Sequence, residues 1–207
     1  MYWTFSNQFY LFNTFGMSGQ WSNQKGKHPC LSFIFENDER IYFNDPRHFG
    51  TIKFTNDLQD LSKKLNSLGW DPLQMSLDKN LPWIKWKLSK SNKSIAETLM
   101  DQSIFAGVGN YVRAEALYSA KLRPLDLAHS LKEDQIIILC QAIISVMEES
   151  YQHQGATIKT YKTPYGEEGR YSTFFKVYGQ KQDPLGNKII KQDLSGRTIH
   201  WCPAIQI

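Results

Sequence analysis

Gly107-Val108-Gly109-Asn110-Tyr111-Val112-Arg113-Ala114-Glu115-Ala116-Leu117-Tyr118 is the stretch on which the organisation of this sequence turns. Two glycines one residue apart make a tight turn, because glycine enters backbone regions closed to other residues and lets the chain pass close to a ligand. The residues after them begin a helix at Tyr111, whose first N–H groups are free to meet an anion. Asn110 stands where it can either cap that helix or reach a phosphate oxygen. Arg123-Pro124 is expected to end the helix.

Working outward, Ser130-Leu131-Lys132-Glu133 reads as a capping box, a serine N-cap with a glutamate three residues on. It opens a long amphipathic helix with Ile136, Ile137, Cys140, Ile143, Ile144 and Met147 on one stripe, stopped by Gly155. Upstream, Ser94-Ile95-Ala96-Glu97 is a second capping box, expected to open a helix from Ile95 to Gln102. Leu68-Gly69-Trp70-Asp71-Pro72-Leu73 is a connector. Before it the pattern is strand-like: Phe9–Phe12, Leu31–Phe35 and Arg40–Phe43, separated by turn formers such as Ser18-Gly19, Asn37-Asp38 and Asn44-Asp45-Pro46. This predicts antiparallel sheet with tight hairpins, entered directly at Met1. A first strand without a neighbour is a liability, so the expectation is that the earlier part of this domain has been cut away.

Gly155 to Gly169 reads as a loop without helical or strand period. Phe174–Tyr178, the turn Asp183-Pro184-Leu185-Gly186-Asn187, Lys188-Ile189-Ile190 and Gly196–Trp201 then make a small β-hairpin unit with too little core to stand alone.

The 207 residues carry a formal charge of +4, and its position matters more than its size. Residues 1–150 hold 16 Lys/Arg against 16 Asp/Glu, whereas residues 151–207 hold 8 against 4. A basic C-terminal module on a neutral body is either a solvated face or a phosphate-facing surface. Cys30, Cys140 and Cys202 are odd in number and widely spaced, which excludes a disulfide framework and fits a reducing intracellular compartment. No signal peptide or apolar membrane span is evident.

Three places carry candidate chemistry beside Asn110. Gly196-Arg197-Thr198 puts Arg197 on a hairpin tip, where a guanidinium is either solvated or forked onto phosphate oxygens. Asn44-Asp45-Pro46-Arg47-His48-Phe49-Gly50 sets a cation, an imidazole and an aromatic ring side by side. Phe49 there is either an anchor for its own loop or a wedge for a base stack. Zinc is rejected, since only His200 and Cys202 lie close together in the basic tail and a zinc site needs four ligands. No base stands beside any cysteine to make it a nucleophile. Asp71, Asp101 and Glu115 are placed for helix and connector structure rather than as an acid/base pair.

The order of the motifs is what identifies them. Phe15-Gly16-Met17-Ser18-Gly19, Asp45–Gly50, Leu68–Leu73, Leu99-Met100-Asp101-Gln102, Gly107–Tyr111, Ala114-Glu115-Ala116-Leu117 and Gly196-Arg197-Thr198 follow one another as in the formamidopyrimidine-DNA glycosylase/endonuclease VIII family, which the chain resembles over nearly its whole length. The resemblance implies an α+β protein. Residues 1–72 would be part of an N-terminal antiparallel β-sandwich, residues 73–165 a helix–two-turn–helix DNA-binding domain, and residues 166–207 a capping loop and C-terminal finger. It implies that Asn110 and Arg197 hold DNA phosphate near the lesion. It also implies that Met17, Arg47 and Phe49 fill the hole left by an everted nucleotide and wedge the opposite strand, offsetting part of the few kcal/mol that flipping a base costs. The Gly155–Tyr178 segment resembles a loop that covers an extruded oxidised purine.

Two departures from the family stand out. The finger's four zinc cysteines are reduced to Cys202, with Asp183-Pro184-Leu185-Gly186 in place of one pair, as in the zincless fingers of some members. The family's nucleophile is an N-terminal Pro amine that forms a Schiff base, aided by a neighbouring Glu and a strand Lys. None of these has a counterpart here, so no catalytic residue is assigned in this chain. The implied function is base excision repair of oxidised bases by a monomeric DNA glycosylase/AP lyase on damaged double-stranded DNA, with no cofactor, metal or membrane, its catalytic segment lost or upstream. The alternatives are a non-catalytic protein that binds damaged or abasic DNA, and an RNA-binding use of the helical unit.

Overall fold

A computed structural model describes residues 1–16, 18–156 and 169–207. Residues Met1–Leu65 with His153–Ser172 form one compact unit, and Asn66–Gln152 with Thr173–Ile207 form another.

In the first unit, six short strands run β1 (Tyr2–Thr4), β2 (Tyr10–Thr14), β3 (Gln20–Ser22), β4 (Pro29–Ile34), β5 (Arg40–Asn44) and β6 (Thr51–Thr55). They pair antiparallel as two three-stranded sheets, β1-β2-β6 and β3-β5-β4. Alternation sends Leu11, Trp21 and Phe43 inward, with Trp3, Phe15, Phe33 and Ile52 against them. Trp21 stacks on Phe33 with ring centroids 5.5 Å apart, and its indole N–H donates to Asn13 at 2.9 Å, so the buried polar edge is satisfied. The sequence showed the β2, β4 and β5 runs. It did not single out β1, β3 or β6, and three residues are too few for β1 and β3 to display alternation. Helix α1 (Leu58–Asn66) follows β6.

The second unit is helical. Its connector is pinned by buried Trp70, which bridges to Phe105 and donates its indole N–H to the Met75 carbonyl at 3.0 Å. Helix α2 (Leu77–Ser89) was not singled out in the sequence; Pro82 lies inside it and removes one helical hydrogen bond. The capping box at Ser94 and Glu97 forms as expected, but helix α3 is only Ile95–Thr98. Beyond it Met100 and Asp101 bond back three residues, to Glu97 and Thr98, so the chain tightens instead of continuing the α-helix to Gln102.

Helix α4 (Asn110–Ser119) is the buried axis of this unit, with every residue from Val112 to Tyr118 inside. It stops before Arg123-Pro124, because Lys121 turns left-handed (φ 57°) and closes the end. Helix α5 (Glu133–Gln152) buries Ile136, Cys140 and Ile143 of the expected stripe together with Leu139 and Val146, while Ile137, Ile144 and Met147 are half-buried. Its start corrects the sequence reading: Ser130 lies in a separate 3-10 turn, and Lys132 takes the cap position with its N–H held by Gln135 at 2.9 Å.

The C-terminal finger pairs β7 (Ile190–Leu194) with β8 (Arg197–Trp201) across a Ser195-Gly196 turn. Both turn residues have positive φ, 52° and 75°, the geometry that matches strand twist in a two-residue hairpin. As its small size required, the finger borrows a core: Val177, Ile189 and Cys202 pack on Ala114 and Tyr118 of α4. Half of the Gly155–Tyr178 segment, residues 157–168, lies outside the described residues. Among the described residues no helix is long and apolar enough to cross a membrane.

Candidate nucleic-acid interface

The turn before α4 is built for close approach. Gly107 sits at φ +81°, and Gln102 clamps the turn by accepting from the Gly107 N–H and donating to the Val108 carbonyl, both at 2.9 Å. Gly109 is the N-cap of α4 and supplies no side-chain cap. A Cβ at Gly109 would meet nothing within 4 Å among the described residues. A helix start without a side-chain cap favours an anion.

Asn110 is not the cap. It is the first residue of α4, and its side chain reaches across to the finger. The amide Nδ2 donates to the Thr198 carbonyl at 3.0 Å, while Oδ1 accepts from the Arg113 guanidinium. Because a guanidinium only donates and a carbonyl only accepts, this pair of partners fixes which way the amide points.

Arg113 is 1% exposed. It donates to the Ala96 carbonyl at 3.4 Å and to Asn110, and its Nε has no partner among the described residues. Burial, and then the nearby charge of Arg197, push its pKa down to about 10. A guanidinium held inside a protein without a carboxylate partner is costly, and an arriving anion relieves that cost.

Arg197 is exposed at the first position of β8 and faces Leu194 across the hairpin. The tip is fastened beside it, where the Ser195 hydroxyl donates to Glu97, whose carboxylate also accepts from the Ser94 N–H and hydroxyl. The hydrogen bond from Ser195, then that from Ser94, holds the Glu97 carboxyl below its ordinary range, so it stays charged. Deeper in the same unit, Glu115 is spent on structure: it accepts the backbone N–H groups of Lys176, Val177 and Tyr178 at 2.8–3.0 Å.

The first unit presents Arg47 and Phe49 on one loop. Asp45, 1% exposed, holds that loop by accepting from the Gly50 N–H and the Ser18 hydroxyl, each at 2.7 Å, and from the Arg47 N–H at 3.3 Å. Burial pushes the Asp45 carboxyl up, but these hydrogen bonds outweigh it and keep it below its ordinary value. Phe49 is 61% exposed, so it does not anchor its loop to the core. The Gly16 loop passes so close that a Cβ there would lie 2.7 Å from the Phe49 carbonyl carbon. Met17 itself lies outside the described residues.

Thus Asn110 and the Arg197–Thr198 tip come together in one unit, and Arg47 and Phe49 share a loop of the other. Sequence reasoning missed Arg113, Glu97 and Asp183 as parts of the arrangement. A signal for Arg113 existed: it lies three residues after Asn110 on the same helix, spacing that puts both on one face. Among the described residues no group of three or more His, Cys, Asp or Glu is placed to hold a metal.

Comparison with known proteins bears on this geometry. Residues 68–162 match the family model described as the formamidopyrimidine-DNA glycosylase H2TH domain. The formamidopyrimidine-DNA glycosylase of Prochlorococcus marinus is 35% identical over 195 residues, 88% of this chain and 65% of that protein. The one from Zymomonas mobilis is 33% identical over 202 residues, 92% of this chain and 72% of its own length. The chain therefore spans about two thirds of such relatives. The crystal structure of MutM (Fpg) from Thermus thermophilus superimposes with a TM-score of 0.87 at 30% identity, covering 97% of this chain and 77% of the other. Lactococcus lactis Fpg in complex with DNA containing an abasic site gives 0.84 at 30% identity, covering 96% and 75%. With sequence and fold matched along nearly all of its length, the chain belongs to the formamidopyrimidine-DNA glycosylase family.

Proposed function

We propose that this chain grips the phosphate backbone of damaged double-stranded DNA and serves base excision repair as the DNA-holding part of a DNA N-glycosylase/AP lyase acting on oxidised bases. The observation that carries the reading is one meeting point: a helix N-terminus without a side-chain cap at Gly109, the buried Arg113 whose Nε has no hydrogen-bond partner among the described residues, and the hairpin-tip Arg197. Such a site takes a phosphate, and duplex DNA presents phosphates in series. Relatives solved with abasic-site DNA and with Fapy-dG DNA support the choice of damaged duplex. Met17, Arg47 and Phe49 are assigned to the gap left by an everted base, with exposed Phe49 as the apolar wedge. DNA as the partner sets the working compartment inside the cell.

The same reading assigns no bond-breaking role to any of the described residues. Buried Asp45, Glu115 and Asp183 are each committed to backbone hydrogen bonds, which favours, as a second reading, a protein that binds abasic DNA without cutting it. Borohydride trapping on a duplex with a natural abasic site separates the two. A covalent complex identifies a lyase; tight binding without one identifies the non-catalytic binder. No preference for abasic over intact duplex would overturn both.

A further inference from the structure

We infer that Asp183 is the positioning residue that aims the finger at DNA, doing with one buried carboxylate the crosslinking that a metal ion would do in a finger with four cysteines. This rests on the reading of Arg197 as a phosphate ligand.

The donor set does not fit zinc. The knuckle Asp183–Asn187 and the end of the finger bring only Cys202 as a soft ligand. What they bring together is five hydrogen-bond donors on one carboxylate. Oδ1 accepts from the Leu185 N–H at 3.0 Å and the Asn187 N–H at 2.7 Å. Oδ2 accepts from the Asn187 amide at 3.0 Å, the Tyr118 hydroxyl at 3.1 Å and the Cys202 thiol at 3.5 Å. Asp183 is 5% exposed, so these bonds form away from water, where a carboxylate left unpaired would be costly.

The placement of those donors gives the hub its purpose. Tyr118 lies near the end of α4, whose first residue is Asn110, and Cys202 follows directly on β8, whose first residue is Arg197. Helix and strand are thus clasped at two places: at one by Asn110 to Thr198, at the other by Tyr118 and Cys202 through Asp183. Two fastenings fix the direction of a strand where one would leave a pivot. Rotation of β8 about the Asn110 contact would swing Arg197 off its phosphate, so Asp183 acts on DNA through Arg197 without touching it.

Asp183→Asn keeps the shape but offers an N–H group where donors converge. Hydrogen–deuterium exchange on the whole chain, together with anisotropy titrations of an abasic-analogue duplex at several salt concentrations, tests the inference. In Asp183→Asn the expected result is faster exchange confined to residues 184–202 with α5 still protected. Affinity should fall roughly ten- to a hundredfold, the worth of a charge-assisted contact, and the salt slope should drop to that of Arg197→Ala. A merely structural Asp183 would lower the melting temperature and leave the slope unchanged, which would overturn the inference; so would unchanged exchange in the finger. Tyr118→Phe, which removes one donor at constant bulk, should move exchange and slope in the same direction by less, and covers the case in which Asp183→Asn does not fold. Failure of the unsubstituted chain to bind DNA would overturn the phosphate reading, and the aiming role with it, while the exchange pattern would still decide whether Asp183 is the clasp.

Discussion

The side chain of Asn110 donates to the backbone carbonyl of Thr198 at 3.0 Å, joining the first turn of α4 to the finger tip across 88 residues of sequence. Its other end is held by Arg113, so the amide is fixed on both sides. The two parts that would meet a phosphate are therefore set against each other before any DNA arrives, and little ordering remains to be done on binding.

Asn110→Asp tests this double role. A carboxylate cannot donate to Thr198, but it would pair with Arg113 and place negative charge where phosphate is expected. The variant should hold its melting temperature and lose more affinity than Asn110→Ala, whose cost should be roughly 1–3 kcal/mol, the scale of one desolvated contact. Equal affinity for both variants would make Asn110 a structural link only.

Arg113→Met removes a buried charge that has no carboxylate partner among the described residues and keeps most of the bulk. Stability should be unchanged or higher, by on the order of 1 kcal/mol, because the desolvation cost disappears. DNA affinity should fall at the same time, a combination that marks a residue kept for binding. Thermal melts and anisotropy on the same preparation check both halves; a fall in both would make Arg113 a plain core residue.

Acid should weaken this fold through His200. Burial first, then the charges of Lys191 and Arg113, lower its pKa from the ordinary 6.5. Above that value the ring is neutral folded or unfolded. Below it the unfolded chain takes up a proton that the folded chain resists, so stability falls as pH falls. Melting temperatures measured between about pH 7.5 and pH 5 should decline, and His200→Gln should flatten the part of the decline that this ring causes. An identical decline in His200→Gln would place the titrating group elsewhere.

The cysteines should separate by reactivity. Cys30 is exposed, whereas burial pushes the Cys140 thiol up to about 12 and raises that of Cys202, which also donates to Asp183. Only thiolates react quickly, so a maleimide should label one cysteine in the native protein and three after denaturation. Rapid native labelling of Cys202 would show that the finger opens readily.

What was legible in the sequence follows the range of the forces involved. The Ser94–Glu97 capping box and the α5 stripe are local, spaced three and four residues apart, and both were read from the chain alone. The hairpin read at Gly196-Arg197-Thr198 was equally local, though the turn falls at Ser195-Gly196 and Arg197 begins β8. Asn110 was placed at the head of its helix, but its bond to Thr198 depends on contacts made 88 residues away, so its reading as a possible cap could not be settled there. Asp183 was read only as a turn residue, since Tyr118 and Cys202 meet it only once α4 and β8 are in place, and its other three donors only once the knuckle has closed. Helix α2 was not read from the chain; it carries Pro82 inside it, a local cost set against the burial of Ile84 and Leu88.

The most direct test of the phosphate grip is an anisotropy titration of the 207-residue chain against a duplex with one abasic analogue and its intact counterpart, across a range of salt, for the unsubstituted protein and Arg197→Ala. The expected result is tighter binding to the abasic duplex and a steep loss of affinity with salt, with the log–log slope smaller by about 0.9 in Arg197→Ala, one phosphate contact. Equal binding to both duplexes, or a slope that Arg197→Ala leaves unchanged, would contradict the placement of damaged DNA at the head of α4.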